Sequence, residues 1–223
     1  MPASSDQIVS ALQEYTTCDV SDALLKLKQS HGGFLPGLTM WSPERQAGDT
    51  KIVGPAYTVK YVPIDDPAPK HPTHYIDTIP EGAVVFISCP SHVSNACYGG
   101  LMSLRAKASK AVGSVIDGRF RDLQEQREIG FPIFARDVGT TAPNQVLKVV
   151  AVNVPVTVPS GEHTITVSPG DYVIADVNGV VVLPKDKAEE AIPLIAPQVE
   201  ADTKMAAEIK KGMTFAEASK KFR

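Results

Sequence analysis

Two short stretches carry the residues best suited to chemistry: Tyr98-Gly99-Gly100-Leu101-Met102 and Asp117-Gly118-Arg119-Phe120-Arg121-Asp122. In the first, paired glycines stand just before a helical pattern. Glycine lets a ligand come close to the backbone, and the first-turn N–H groups of a helix have no helical partners. Such a terminus attracts a carboxylate or a phosphate; a tight turn before a packed helix is the plainer reading. The second stretch follows an apolar run, Val112–Ile116. Arginine grips a carboxylate through paired hydrogen bonds, and aspartate holds a hard divalent cation that keeps part of its water. Taken alone, a surface ion pair at a turn would account for the same residues. If adjacent strand ends carry both stretches, the glycine loop, the arginine and the aspartate converge on one pocket for a small carboxylate.

The elements around these residues read as a parallel α/β layer. Ala83–Ile87 is apolar on both alternate faces, as in a strand covered on both sides. A helix is expected over 99–111, with Leu101, Leu104 and Ala108 on one face. A short strand at 112–116 ends at Asp117-Gly118. A helix over 122–129 stops at Gly130, and Phe131–Ala135 forms another strand. Strand, helix, strand, helix, strand is the rhythm of that layer.

Upstream, residues 5–29 read as helix, capped by Ser5 or Asp6 and broken near Thr16–Asp19. Residues 30–50 read as loop, with turn chemistry at Pro36-Gly37. Lys51–Lys60 is a strand, and the proline-rich 61–73 is a loop. Downstream, Val149–Val158 alternates, and Gly161–Val167, Tyr172–Asp176 and Val180–Leu183 are short strands. Asn178-Gly179 is a hairpin signal. This part reads as antiparallel β packed on the α/β layer. A helix over 185–211 closes the chain, disturbed early by Pro193 and Pro197.

The 223 residues suit one large domain, with 43% hydrophobic and 21% charged residues. A net charge of −3 offers no basic field for nucleic acid. Cys18, Cys89 and Cys97 form neither a disulfide framework nor a zinc motif. The N-terminus lacks a secretory pattern, and no apolar run is long enough to cross a bilayer. A reduced, cytoplasmic protein is expected.

Gly100, twenty residues, Arg121-Asp122, two residues and Glu125 resemble the signature of the metal-dependent 4-hydroxy-4-methyl-2-oxoglutarate aldolases. That family includes oxaloacetate decarboxylases and shares its fold with the regulator of ribonuclease E activity A. Thr17–Ala23, Gly54–Val59, Gly130–Arg136 and Pro169–Pro184 also resemble family landmarks, so the likeness runs along nearly the whole chain. The resemblance implies a single-domain α/β/β sandwich of the swivelling β/β/α, RraA-like type. It implies a homotrimer or a dimer of trimers with active sites between subunits. Asp122 would hold Mg2+ or Mn2+, partly through water. Arg121 would contact the 2-oxo acid, and the loop Gly99, Gly100, Leu101 and Met102 would hold its carboxylate through N–H groups. An acid from the C-terminal helix of the next subunit would join the metal's water shell, with Glu200 the best match and Asp202 the competitor. The implied chemistry cleaves a 4-hydroxy-2-oxo acid at C3–C4, leaving a pyruvate enolate; decarboxylation of oxaloacetate passes through the same enolate. The ribonuclease regulators tend to lack the Arg-Asp pair, so its presence favours an enzyme over the alternative, a non-catalytic protein-binding regulator. The 61–73 segment departs from the compact pattern and bears on the mouth of the cleft.

Other candidates have plainer readings. His71 and His74 sit near Asp77, but Pro72 disfavours a metal-binding helix. His92 lies near the glycine loop and could donate a proton. Cys89 and Cys97 suit buried small apolar positions. Lys107, Lys110 and Lys148 raise Schiff-base chemistry, which wants a desolvated lysine; the first two read as exposed. Asp171 and Asp176 suit turns and caps.

Overall fold

The chain opens with two capped helices, α1 (Ser5–Gln13) and α2 (Thr17–Lys26), in a computed structural model that describes residues 3–160 and 163–223. Ser4, not Ser5 or Asp6, caps α1 in a reciprocal box with Gln7. Thr16 does the same for α2 with Asp19. Residues 30–50, expected as loop, hold a 3-10 turn and two short strands, β1 (Phe34–Leu35) and β2 (Thr39–Ser42). Strands this short leave little alternating pattern to read, although Leu35, Leu38, Met40 and Trp41 are all buried.

The strand expected at 51–60 is β3 (Ile52–Pro63), and it runs into the proline-rich segment that was read as loop from Tyr61. Proline at its end costs no ladder bond at an edge position. Then come β4 (Val84–Ser88), β5 (Ala96–Tyr98), α3 (Gly100–Ala108), β6 (Gly113–Phe120), α4 (Leu123–Ile129) and β7 (Ile133–Val138). The antiparallel part is β8 (Leu147–Val152), β9 (Val156–Ser160), β10 (His163–Val167), β11 (Tyr172–Asp176) and β12 (Gly179–Leu183). Asn153, in a left-handed conformation, splits the expected 149–158 run in two. The expected turn at Ser160-Gly161 and the start of the strand after it include Gly161, which lies outside the described residues.

One sheet is ordered β1-β12-β11-β3-β4-β6-β7-β2, with β5 added beside β6 and β8 beside β3. Parallel pairs join β3, β4, β6 and β7 in turn, as the rhythm predicts. The antiparallel strands are not a separate sheet laid on that layer. β11 hydrogen-bonds to the first half of β3, and only β9–β10 forms its own ribbon.

The sheet folds over at β3, so two β layers face each other. Val84, Phe86, Val115 and Phe134 from one half meet Val173, Val180 and Val182 from the other. Residues one step along the same strands point outward. Val85, Ile87, Ile116 and Ile133 pack under α3 and α4. Ile174, Val181 and Leu183 pack under α1, α2 and α5. This is the α/β/β sandwich with its second outer face covered as well. No helix among the described residues is long and apolar enough to cross a membrane.

The last helices are α5 (Ala188–Lys210) and α6 (Phe215–Phe222). Pro193 and Pro197 do not interrupt α5; both lie on its exposed face, where water can meet the carbonyls they free. α6 was not expected, although Thr214 and Glu217 form a capping box at its start. Asp176 and Asp171 are structural, as their turn chemistry suggests. Asp176 accepts from Thr17 N–H (2.9 Å) and Thr17 Oγ1 (2.7 Å), and Asp171 accepts from Ser168 and Lys185 N–H.

Candidate active site

β5 ends in Tyr98, and Gly99 caps α3 with extended backbone. β6 runs beside β5 and continues to Phe120, past the expected end at Ile116. Gly118 permits this: a Cβ there would stand 2.9 Å from Cys89 Cβ. The extension brings Arg121 beside Tyr98, whose carbonyl accepts Arg121 N–H at 2.9 Å. Asp122 follows as the residue before α4, in a left-handed conformation (φ 64°, ψ 41°). For a residue other than glycine this is a strained backbone, tolerated best by Asp and Asn.

The two glycines make room for two carboxylates. A Cβ on Gly99 would meet Asp122 Oδ2 at 2.7 Å and Arg121 Nε at 3.3 Å. One on Gly100 would fall on the Glu125 carboxyl group. Gly99 has ordinary extended backbone, so space rather than φ requires glycine there. Asp122 Oδ2 accepts Gly100 N–H at 3.0 Å and lies 3.4 Å from Arg121 Nε. In α3, Met102 N–H turns back to Gly99 O at 3.0 Å. Leu101 N–H has no partner among the described residues.

A cleft of about 200 Å3 opens on this cluster. Gly99, Gly100, Leu101, Met102, Arg121 and Asp122 all line it, so every cleft residue singled out in this chain is brought together. Arg121 is 42% and Asp122 34% exposed at the side chain, half-sheltered but open to solvent. Tyr61, His74, Pro143 and Asn144 complete the wall. Tyr61 comes from the end of β3, His74 from the residue before the 3-10 turn Tyr75–Asp77, and Pro143 and Asn144 from the approach to β8; of these only His74 stands out in the sequence, and for a metal rather than for this cleft.

Asp117 and Arg119, from the same chemical stretch, are ion pairs instead. Asp117 meets Arg136 Nε at 2.5 Å and Arg119 meets Asp137 at 3.3 Å. Burial pushes the Asp117 carboxyl above its ordinary range, and Arg136 pulls against that rise. The α3 face expected to be buried is open: Leu101 is 71% and Leu104 46% exposed. Gly100, Ser103 and Ala106 form the buried face, because close approach to the sheet needs small residues.

Glu200 does not line the cleft; on exposed α5 surface it pairs with Lys204 at 2.6 Å. Asp202 is held by Arg223 Nε (2.9 Å) and Gln198 Nε2 (3.1 Å). His92 is exposed outside the cleft lining. Cys89 and Cys97 are buried, and contact with the Cys89 thiol, then burial, pushes the Cys97 thiol well up. Lys107 and Lys110 are exposed and bound to Ile129 O and Glu81.

A divalent cation fits the donor set. Asp122 offers a second oxygen, Oδ1, without a partner among the described residues, and Glu125 stands one helical turn on. Among those residues no group of three or more metal-type side chains gathers. An ion that keeps several waters needs only one or two carboxylates from the protein.

The chain is similar to proteins of one family along most of its length. A family model described as RraA-like, Aldolase/RraA, matches residues 17–182. A protein of Halalkalibacterium halodurans named "Putative 4-hydroxy-4-methyl-2-oxoglutarate aldolase" is 31% identical over 178 residues, 79% of this chain and 76% of that one. Protein DlpA of Legionella pneumophila is 30% identical over 194 residues, 84% of this chain; the match spans only 30% of DlpA. A crystal structure of a protein from Pseudomonas syringae pv. tomato superposes with a TM-score of 0.82 at 28% identity, covering 98% of this chain and 99% of that one. Fold and matched residues agree, and the chain belongs to the RraA-like (Aldolase/RraA) family.

Proposed function

We propose that this chain is a divalent-metal-dependent carbon–carbon lyase. It cleaves 4-hydroxy-4-methyl-2-oxoglutarate-type acids to pyruvate and decarboxylates oxaloacetate in the same cleft. The observation that carries this reading is the joining of Arg121 and Asp122 to the glycine turn of α3 in one half-sheltered cleft.

Each residue has work to do. Leu101 N–H, unpartnered at a helix N-terminus, receives the substrate's C1 carboxylate. Arg121, steadied through Nε by Asp122, presents its remaining N–H groups to the ketone oxygen, where negative charge grows as C3–C4 breaks. Mg2+ or Mn2+, held by Asp122, would supply Lewis acidity at that ketone. The C4 hydroxyl proton passes to an ordered water. Among the described residues Asp122 is the sole carboxylate of the cleft lining, and its Oδ2 is committed to Gly100 N–H and Arg121. The C4 fragment leaves as the second carbonyl product, and return of the proton from that water to C3 of the enolate gives pyruvate.

The assembly belongs to the same proposal. A homotrimer or dimer of trimers would bring Glu200 from α5 of a neighbouring copy to the cleft, closing it against solvent. Glu200, whose partner is the single exposed Lys204 one helical turn away, suits this better than Asp202, whose carboxylate is shared by Arg223 and Gln198. Three free cysteines fit a reducing cytoplasm.

The test is pyruvate release from 4-hydroxy-4-methyl-2-oxoglutarate and from oxaloacetate, with magnesium, with manganese and with chelator, beside Asp122→Asn. Metal-dependent release that the variant loses is the expected result. No pyruvate from either substrate with either metal would overturn the proposal.

A further inference from the structure

A second cavity of about 320 Å3 continues from the cleft. The two share Tyr61, His74, Pro143 and Asn144 as common wall, so a molecule seated at Arg121 can extend into the groove. The groove is built rather than loose. The end of β3 pairs with Leu147–Val149 of β8. Ile64 N–H then donates to Val146 O (2.9 Å) and His71 N–H to Val149 O (2.8 Å). Lys148 Nζ ties the turn of the 61–73 segment by donating to Asp66 O at 2.6 Å.

Its chemistry is one-sided. Lys70, His71, His74 and Lys148 line it, and among the described residues no aspartate or glutamate does. Neither lysine has a carboxylate partner among the described residues. Asp66 does not neutralise Lys148, because the contact is to its carbonyl while its Oδ1 accepts Ala68 N–H within the turn. His74 stands at the junction of the two cavities. Its Nδ1 accepts Ile76 N–H at 3.4 Å, which leaves the ring proton to Nε2, a donor without a partner among the described residues.

We propose that this groove is a subsite for a second carboxylate, at the far end of a dicarboxylic 2-oxo acid, with Lys70 and Lys148 as its charge and His74 as a donor at its entrance. The inference rests on the reading of the cleft as a 2-oxo acid site. It also ranks the two reactions assigned to that cleft. A far carboxylate held by two ammonium groups stays on the departing fragment in aldol cleavage. In decarboxylation the second carboxylate must itself leave uncharged, and pairing it with lysine would stabilise the ground state instead. The subsite therefore favours the aldol substrate.

The experiment compares two inert ligands of equal chain length, 2-oxoglutarate and 2-oxopentanoate, which differ in the terminal carboxylate alone. Each is titrated calorimetrically into the full chain with magnesium chloride present. Wild type is expected to bind the diacid about tenfold more tightly, a free-energy difference of about 1.4 kcal/mol. Lys70→Met/Lys148→Met is expected to bind both within about twofold of each other. Lys148→Arg, which keeps the charge and can still tie the Asp66 turn, is expected to keep the preference. Equal binding of both ligands by wild type, or a preference that survives in the double variant, would overturn the subsite and leave the cleft reading intact. A preference lost equally in Lys148→Arg, which keeps the positive charge, would show that charge is not what holds the second carboxylate, and would also overturn the subsite. Binding of neither ligand would overturn the subsite and the cleft reading together.

Discussion

Gly99→Ala is the sharpest perturbation of this site, because it touches the chemistry without touching the fold. The backbone there is extended (φ −154°), so alanine brings no conformational strain. Its Cβ would lie 2.7 Å from Asp122 Oδ2 and 3.3 Å from Arg121 Nε. To reach an ordinary contact of 3.4 Å, Oδ2 has to retreat by roughly 0.7 Å. That retreat stretches its 3.0 Å bond to Gly100 N–H and shifts the steadying contact to Arg121. Both moving groups are partly exposed side-chain ends, so stability should change by no more than about 1–2 kcal/mol. A displacement near 1 Å at reacting groups costs on the order of a hundredfold in rate. The expected outcome is kcat/KM for pyruvate release reduced about 10–100-fold, with a melting temperature within a few degrees of wild type. A variant with wild-type kcat/KM would refute the reasoning, since the two side chains could then move without consequence.

Arg121→Ala should lower kcat/KM by about 10²–10³, the scale of losing one transition-state donor, and Arg121→Lys should restore only part of it; a loss under about tenfold would remove Arg121 from the chemistry. Asp122→Asn should lose activity while keeping a residue that tolerates the left-handed backbone, whereas Asp122→Ala should also melt earlier, by about 1 kcal/mol of added strain; denaturation curves that do not separate the two would refute the strain argument. Burial raises the hydroxyls of Tyr57, Tyr61, Tyr75 and Tyr98 above the ordinary tyrosine range, Tyr98 to about 12. The unfolded chain then releases these protons first, so stability should fall as pH rises from about 10 towards 12; denaturant midpoints that stay flat there would contradict this. Tyr98→Phe should make that fall shallower but cost about 1–3 kcal/mol at neutral pH, because the Ser103 and Ser114 hydroxyls lose their buried partner.

What the sequence makes legible is local. The parallel rhythm from Val84 to Val138 and the gathering of Gly99, Gly100, Arg121 and Asp122 follow from strand ends lying side by side. The missed elements are those that partners define. β1 and β2 are strands because Val180–Val181 and Ile133–Ala135 stand opposite them, not because their few residues alternate. The exposed face of α3 misleads for a related reason. Leu101 and Leu104 carry the apolar pattern, yet Gly100, Ser103 and Ala106 do the packing because they let the helix sit close. Tyr61 and Asn144 come together at the cleft through pairing of β3 with β8, which no spacing in the chain announces.

β3 belongs to both layers of the sandwich. Its first residues pair with β11, its middle with β4 and its last with β8. Beyond it, Phe34 of β1 waits for Val181 of β12. On a ribosome adding roughly 5–20 residues each second, the interval between those two is about 7–30 s. Once β3 and β4 are made, their apolar inner faces wait for most of the second layer until β11 and β12 follow. The sandwich therefore cannot close during synthesis until the β11–β12 hairpin has emerged.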